Sequence, residues 1–219
     1  MKPVLAVLNV REIPQVLDAL DALPIDKVRI RGYTERQIAD SVWTEQLMPE
    51  VKARGYTHLS LISDDAVVPP HSLELVLAHA NAYPQRVTTG WCNQDFTDDR
   101  VALSTEPLTD EIPKPHSYTL PSWRDVLMGP EVQRTYFTGF CLTTCTVGMW
   151  ERYPYQAYGD EGFAADYNMS RRLAADGRQI DALRDAFCLH LRETRHGSPS
   201  HPERRVLVGE IKPEVVFDA

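Results

Sequence analysis

The stretch Lys2–Val10 reads KPVLAVLNV, a short apolar run that stops at the charged pair Arg11-Glu12, and it has the pattern of a buried strand. A helix is expected directly after it. Ile13, Val16, Leu17, Leu20 and Leu23 recur at helical spacing, and Pro14 sits near the first turn, where its missing N–H matters least.

Moving outward, Lys27–Arg31 fits a second strand, and Thr34-Glu35-Arg36-Gln37 has capping-box spacing ahead of a helix that Pro49 should kink or end. Tyr56–Ser63 gives a third strand. Leu73, Val76, Leu77 and Ala80 form a third helical stripe after the Pro69-Pro70 break. This alternation predicts a single α/β domain built on a mostly parallel sheet flanked by helices. A chain of 219 residues, 43% hydrophobic and 25% charged, has the composition to bury such a core.

Beyond the third helix the pattern weakens. Pro107, Pro113, Pro115, Pro121 and Pro130 punctuate a segment of little periodicity, read as a surface excursion. Regular structure is expected to return near Tyr136. A helix is predicted over Asp166–Asp176 with Gly177 at its C′ position, then two short strands at Gln179–Leu183 and Ala186–Leu191, then a polar tail from Arg192.

Bulk charge narrows the function. A net charge of −8 argues against a general nucleic-acid coat, which needs a basic face to displace phosphate counterions. A phosphorylated ligand would require a metal ion or clustered arginines to supply local positive charge. Cys92, Cys141, Cys145 and Cys188 are too sparse for a secreted disulfide framework and read as free thiols. No apolar run reaches the roughly 18 to 20 residues of a membrane helix, and no secretory signal pattern opens the chain, so the expected location is the cytoplasm.

In a sheet of this kind the ligand crevice lies outside the carboxyl ends of the strands. The loops there make Asn9, Val10, Arg11, Arg31, Ser63 and Asp64 candidate contacts to a bound donor. The third strand runs into LISDDAVVPP, residues 61–70, whose paired carboxylates Asp64 and Asp65 are hard oxygen ligands suited to Mg²⁺ or Mn²⁺ on a diphosphate. Asp166 stands at a helix start, where the macrodipole favours its ionised form and a carboxylate can accept a proton from an attacking hydroxyl. His190, at the end of an apolar strand, offers an imidazole to a metal shell begun by carboxylates.

Asp-Asp after an early strand, Asp at a late helix start and His after the next strand together resemble the GT-A glycosyltransferases, in particular the family 2-like branch. The resemblance spans most of the chain. It implies a GT-A domain over residues 1–191, with the nucleotide-sugar-binding half to about residue 90 and an acceptor and catalytic half over about 91–191. Residues 192–219 form the tail, in which Arg192, Arg195, His196, Arg204 and Arg205 are candidates to neutralise a diphosphate or close over it as a lid.

By the same resemblance, Asp65 and His190 hold Mn²⁺ or Mg²⁺, and Asp166 is the catalytic base of an inverting transfer from a nucleotide-diphosphate sugar. Gly139 and Phe140, on the family's acceptor-side strand, would face the acceptor, as would Glu161 and Trp91. Tyr136, Phe137 and Trp150 are further aromatics that could stack on a sugar. The acceptor itself stays open among glycan, lipid, protein and modified nucleic acid. The chain departs from the family at two positions: Ser63 stands where the first Asp of the DxD-type motif is usual, and Ala165 where the ED motif has Glu. Asp160-Glu161 is an alternative alignment of that acidic pair. These departures also admit a catalytically silent nucleotide-sugar or partner-binding module, and a nucleotidyltransferase is a third reading.

Overall fold

In strand β1 (Pro3–Asn9), Val4, Ala6 and Leu8 enter one hydrophobic core and Leu5 and Val7 another, so the sheet is covered on both faces. The structure is a computed structural model and describes residues 1–9, 13–31, 38–93, 99–108, 120–156, 165–191 and 214–217. One layer is built from α1 (Pro14–Asp21) and α3 (Pro70–Ala82), which bring Val16, Leu20, Leu73 and Val76 to Leu5 and Val7. The opposite core receives Val42, Trp43 and Leu47 from the π-helical segment Ile38–Leu47, Val51 from α2 (Met48–Ala53) and Met149 and Trp150 from α5 (Val147–Arg152). Pro49 falls in the first turn of α2, so it marks the change of winding and the helical path continues past it.

The remaining elements are β2 (Asp26–Arg31), β3 (His58–Ile62), β4 (Ala66–Val67), β5 (Val87–Cys92), α4 (Trp123–Met128), β6 (Val132–Thr135), β7 (Thr143–Thr146), α6 (Ala165–Ala175), β8 (Ile180–His190) and β9 (Glu214–Phe217). Among the described residues they form a nine-stranded sheet in the order β4-β8-β5-β7-β3-β1-β2-β9, with β6 also paired to β8. The sheet is mixed, which corrects the mostly parallel expectation. β1 pairs in parallel with β2 and β3, and β5 with β8. β7 enters between β3 and β5 in the opposite direction, and β4, β6 and β9 also pair antiparallel.

Three local differences from the expected elements have physical causes. β8 is one strand where two were expected, because the charged pair Arg184-Asp185 falls where its register with β5 shifts between Thr89 and Trp91, and pairing resumes at Phe187. The Pro-punctuated middle is not wholly a surface excursion: Leu108 enters one core, and Val126 of α4 packs with Trp91 and Ala182. The segment read as a polar tail contains β9, which closes the edge of β2 with Val215 and Phe217 against the core. Helix α6 ends as expected. Gly177 takes a φ of 67°, its N–H donates to the Ala174 carbonyl, and the Arg178 N–H donates to the Leu173 carbonyl, a Schellman motif. Among the described residues no helix is long and apolar enough to cross a membrane.

Candidate functional site

The turn after β3 and the end of β8 are joined by the shortest strand of the sheet. Ala66 of β4 pairs with His190, Val67 pairs with Leu189, and the Leu191 N–H donates to the Asp65 carbonyl at 2.7 Å. This pairing sets position 65 beside position 190. Nε2 of His190 stands 3.2 Å from Oδ2 of Asp65, with side chains 18% and 8% exposed. Two ligands each about 2.1 Å from one cation stand roughly 3 Å apart, so this spacing fits a shared divalent ion as well as a direct hydrogen bond. The carboxylate is a hard ligand of the kind Mn²⁺ and Mg²⁺ take, and the imidazole adds a nitrogen ligand.

Neighbouring groups hold both side chains. The Ser63 hydroxyl donates to Oδ1 of Asp65 at 2.9 Å, leaving Oδ2 directed at the imidazole. Ser63 therefore supports Asp65 from the position where the resembled family has a carboxylate. Asn93, which follows β5, clasps the backbone of His190: its Oδ1 accepts from the His190 N–H at 3.0 Å, and its Nδ2 donates to the His190 carbonyl at 3.1 Å. The Asn93 carbonyl also lies 3.3 Å from Nδ1 of His190 and can accept its proton, the tautomer in which Nε2 is free to bind a metal. Asn93 has no motif in the sequence that would have marked it.

Asp64 and Asp65 are both buried, not the solvated turn residues that an Asp-Asp pair often forms. The Ser63 N–H donates to the Phe140 carbonyl at 3.0 Å, tying this turn to the segment Thr138–Phe140. Phe140 has a positive φ of 51° and stacks on Tyr155 with ring centroids 5.3 Å apart. A Cβ on Gly139 would lie 2.8 Å from that of Ala102, so only glycine fits between these chains. The Thr138 N–H in turn donates to the Ser170 hydroxyl of α6 at 3.3 Å. One short segment thus links the Asp65 turn to the helix that carries Asp166.

Asp166 lies in the first turn of α6, and its Oδ1 accepts the Tyr167 N–H at 2.7 Å. Asp166 is partly buried, and desolvation raises its carboxyl from 3.8 to about 6, against the pull of backbone hydrogen bonds from Tyr167 and its own N–H. Ala165, just before it, is buried. Tyr167 belongs to the same hydrophobic core as Ala66, Cys92 and Cys141.

Trp91 is buried, its indole N–H donates to the Arg184 carbonyl at 2.6 Å, and it packs on Phe187. It lines an apolar cleft of about 380 Å³ together with Asn93, Arg100, Val101, Trp123, Leu127 and Phe187. Asn93 is thus common to this cleft and to the His190 corner. Phe137 and Trp150 belong to the cores, and the Tyr136 hydroxyl accepts from Gln179, so Phe137 and Trp150 are not exposed stacking platforms. Asn9 and Arg31 are paired neighbours at the carboxyl ends of β1 and β2. Val10, Arg11, Asp160, Glu161 and the arginines of the tail lie outside the described residues.

The cysteines correct the free-thiol reading in part. Cys92 and Cys141 form a disulfide, while Cys145 and Cys188 are free and buried. The pair meets because the Gly90 N–H donates to the Leu142 carbonyl, bringing the end of β5 against the chain that follows Gly139. At a sequence separation of 49, no local spacing announces the contact.

No protein-family model matches the chain, and no curated protein sequence matches it. Solved structures are similar in fold. The chain is similar to A197 from STIV, with a TM-score of 0.54 and 15% identity over 84% of this chain and 82% of that one. It is also similar to GalNAc-T7, solved with UDP, GalNAc and Mn²⁺, with a TM-score of 0.51 and 9% identity over 86% of this chain and 43% of that one. At these identities the shared property is the fold, an α/β domain on a mixed sheet.

Proposed function

We propose that this protein is a metal-dependent glycosyltransferase that moves a sugar from a nucleotide-diphosphate sugar to an acceptor hydroxyl with inversion. The observation that carries the reading is the Asp65–His190 pair, 3.2 Å apart where the turn after β3 meets the end of β8. The fold likeness to GalNAc-T7, solved with UDP, GalNAc and Mn²⁺, supports it. Asp65 and His190 would hold Mn²⁺ or Mg²⁺, which when bound supplies positive charge to the leaving diphosphate.

The chain's own residues have distinct tasks in this account. Ser63 orients Asp65, and Asn93 holds the His190 backbone and directs Nε2 toward the ligand. Asn9, Val10, Arg11, Arg31, Ser63 and Asp64 bind the donor at the strand ends. Gly139, Phe140, Glu161 and Trp91 form the acceptor side. Asp166 takes the proton from the acceptor hydroxyl: raised to about 6, it is still a carboxylate at neutral pH and a stronger base than an ordinary Asp. Attack by that hydroxyl opposite the departing diphosphate gives a single displacement and an inverted anomeric centre.

One observation favours a second reading, a catalytically silent binding module of the same fold. Ala165 is buried and offers no carboxylate where the resembled family uses Glu to bind the acceptor. The deciding experiment is incubation with a panel of nucleotide-diphosphate sugars and Mn²⁺, following release of nucleoside diphosphate. Release that disappears in Asp166→Asn supports transfer chemistry; Mn²⁺-dependent donor binding with no release from any donor supports the module.

A further inference from the structure

Beside the Asp65–His190 corner, Cys92, Cys141 and His190 each offer a ligand atom, and these atoms all lie within 4.8 Å of one another. We propose that reduction of the Cys92–Cys141 disulfide turns this cluster into a Cys₂His zinc site, so that the corner exchanges a hard metal for a soft one according to thiol redox state. The inference shares His190 with the proposed donor-metal site, and its cysteine ligands play no part in the transfer chemistry.

The chemistry of the donor set carries it. As a disulfide the two sulfurs are neutral and weak ligands, which leaves the corner with the Asp65 carboxylate and the His190 imidazole, the pair proposed above to hold Mn²⁺ or Mg²⁺. As a dithiol the same sulfurs become two thiolates beside an imidazole, a combination that selects zinc. Thiolates about 2.3 Å from zinc stand about 3.8 Å apart, a separation reached once the bond between them opens. Three protein ligands leave a fourth position for water or for the Asp65 carboxylate, which already touches the His190 ring. The Asn93 clasp fixes the His190 backbone from the strand beside Cys92 and keeps the imidazole next to both sulfurs.

The redox step balances with a small-molecule thiol as reductant. One thiolate attacks a sulfur of the pair, Cys141 being the slightly exposed member, to form a mixed disulfide and release the other cysteine. A second thiol resolves it and leaves as part of the reagent's own disulfide. The two cysteines have then gained two electrons and two protons, and both protons leave as zinc binds. One imidazole nitrogen cannot serve two ions, so zinc in the reduced protein removes His190 from the Mn²⁺ set.

The test is a cobalt titration of the full chain, used as a spectroscopic stand-in for zinc, in oxidised protein and in protein reduced with dithiothreitol and desalted without oxygen. Alkylation and mass measurement establish the thiol state. The reduced protein should bind a single equivalent with thiolate-to-cobalt charge-transfer bands and intense tetrahedral bands, both bleached by zinc. The oxidised protein should show no thiolate bands. Loss of one supporting partner around a metal ligand costs about 10- to 100-fold in affinity, so loss of two direct ligands should weaken zinc binding by more than about 100-fold. Cys92→Ala/Cys141→Ala should abolish the bands, and Cys145→Ala should keep them. A disulfide that resists dithiothreitol in the folded protein, bands that survive the double substitution, or identical spectra in both redox states would overturn the proposal. Failure of donor turnover with intact cobalt bands counts against the glycosyltransferase reading alone; missing bands with intact turnover count against the zinc site alone.

Discussion

Nε2 of His190 and Oδ2 of Asp65 lie 3.2 Å apart although the two residues are far apart in sequence, because Ala66 and His190 are paired residues of adjacent strands. A two-residue strand therefore assembles the corner. Its geometry can be perturbed one side chain at a time.

His190→Ala and Asp65→Ala each remove a direct ligand. Mn²⁺ affinity, followed by the electron paramagnetic resonance of free Mn²⁺, should fall by more than about 100-fold in either variant, since supporting partners alone are worth 10- to 100-fold. Asn93→Ala should fall in that smaller range, because it loosens His190 without removing a ligand. Unchanged Mn²⁺ binding in His190→Ala would remove the imidazole from the site.

Asp166→Asn should lower turnover by about 10² to 10⁴, the usual contribution of a positioned general base. The same substitution should stabilise the fold at neutral pH. A carboxyl raised from 3.8 to about 6 favours folding most below its unfolded value, and that contribution is lost as pH rises through about 6. The full shift corresponds to a ceiling of about 3 kcal/mol. Urea denaturation should show Asp166→Asn more stable at pH 7 and the difference vanishing near pH 4. A variant less stable than wild type at pH 7 would contradict the desolvation of Asp166.

The same shift predicts a pH profile. The base must be unprotonated, so kcat/KM should be flat above neutrality and fall about tenfold per pH unit below about 6. An acid limb lying near 4 would mean that an ordinary, solvated carboxylate does this work.

Gly139→Ala should cost about 1–3 kcal/mol, the usual effect of overpacking, because its new methyl would meet Ala102 at 2.8 Å. Ala102→Gly in the same chain should recover most of the loss. A Gly139→Ala melting temperature equal to wild type would show that the two chains separate easily, and would weaken the placing of Phe140 beside Ser63.

The sequence carried the parallel half of the sheet well. β1 and β3 are apolar runs followed by helices, β2 alternates buried Val28 and Ile30 with charged residues, and Leu73, Val76, Leu77 and Ala80 are buried on α3 as their spacing requires. The antiparallel insertions were hidden for a physical reason. β7 reads TTCT, and its polar side chains are satisfied across the sheet, Thr144 on Ser60 at 2.7 Å and Thr143 on Thr138, so no apolar run marks it. β4 has two residues, too few for any periodicity. Asp65, Asp166 and His190 are candidates by their order along the chain, and of these the structure sets Asp65 beside His190. Asn93 and the Cys92–Cys141 bond depend on contacts between distant segments and leave no local pattern.

The central claim, a metal-dependent nucleotide-sugar site at Asp65 and His190, is tested most directly by thermal shift with a panel of nucleotide-diphosphate sugars, with and without Mn²⁺, on wild type and His190→Ala. Ligand at about 100 times its Kd stabilises the native state by about 2.7 kcal/mol, which for a chain of this length raises the melting temperature by roughly 5–10 °C. The account predicts such a rise for at least one donor in wild type, only with Mn²⁺, and none in His190→Ala. A donor-induced rise of the same size without Mn²⁺ or in His190→Ala, or no rise with any donor, would contradict it.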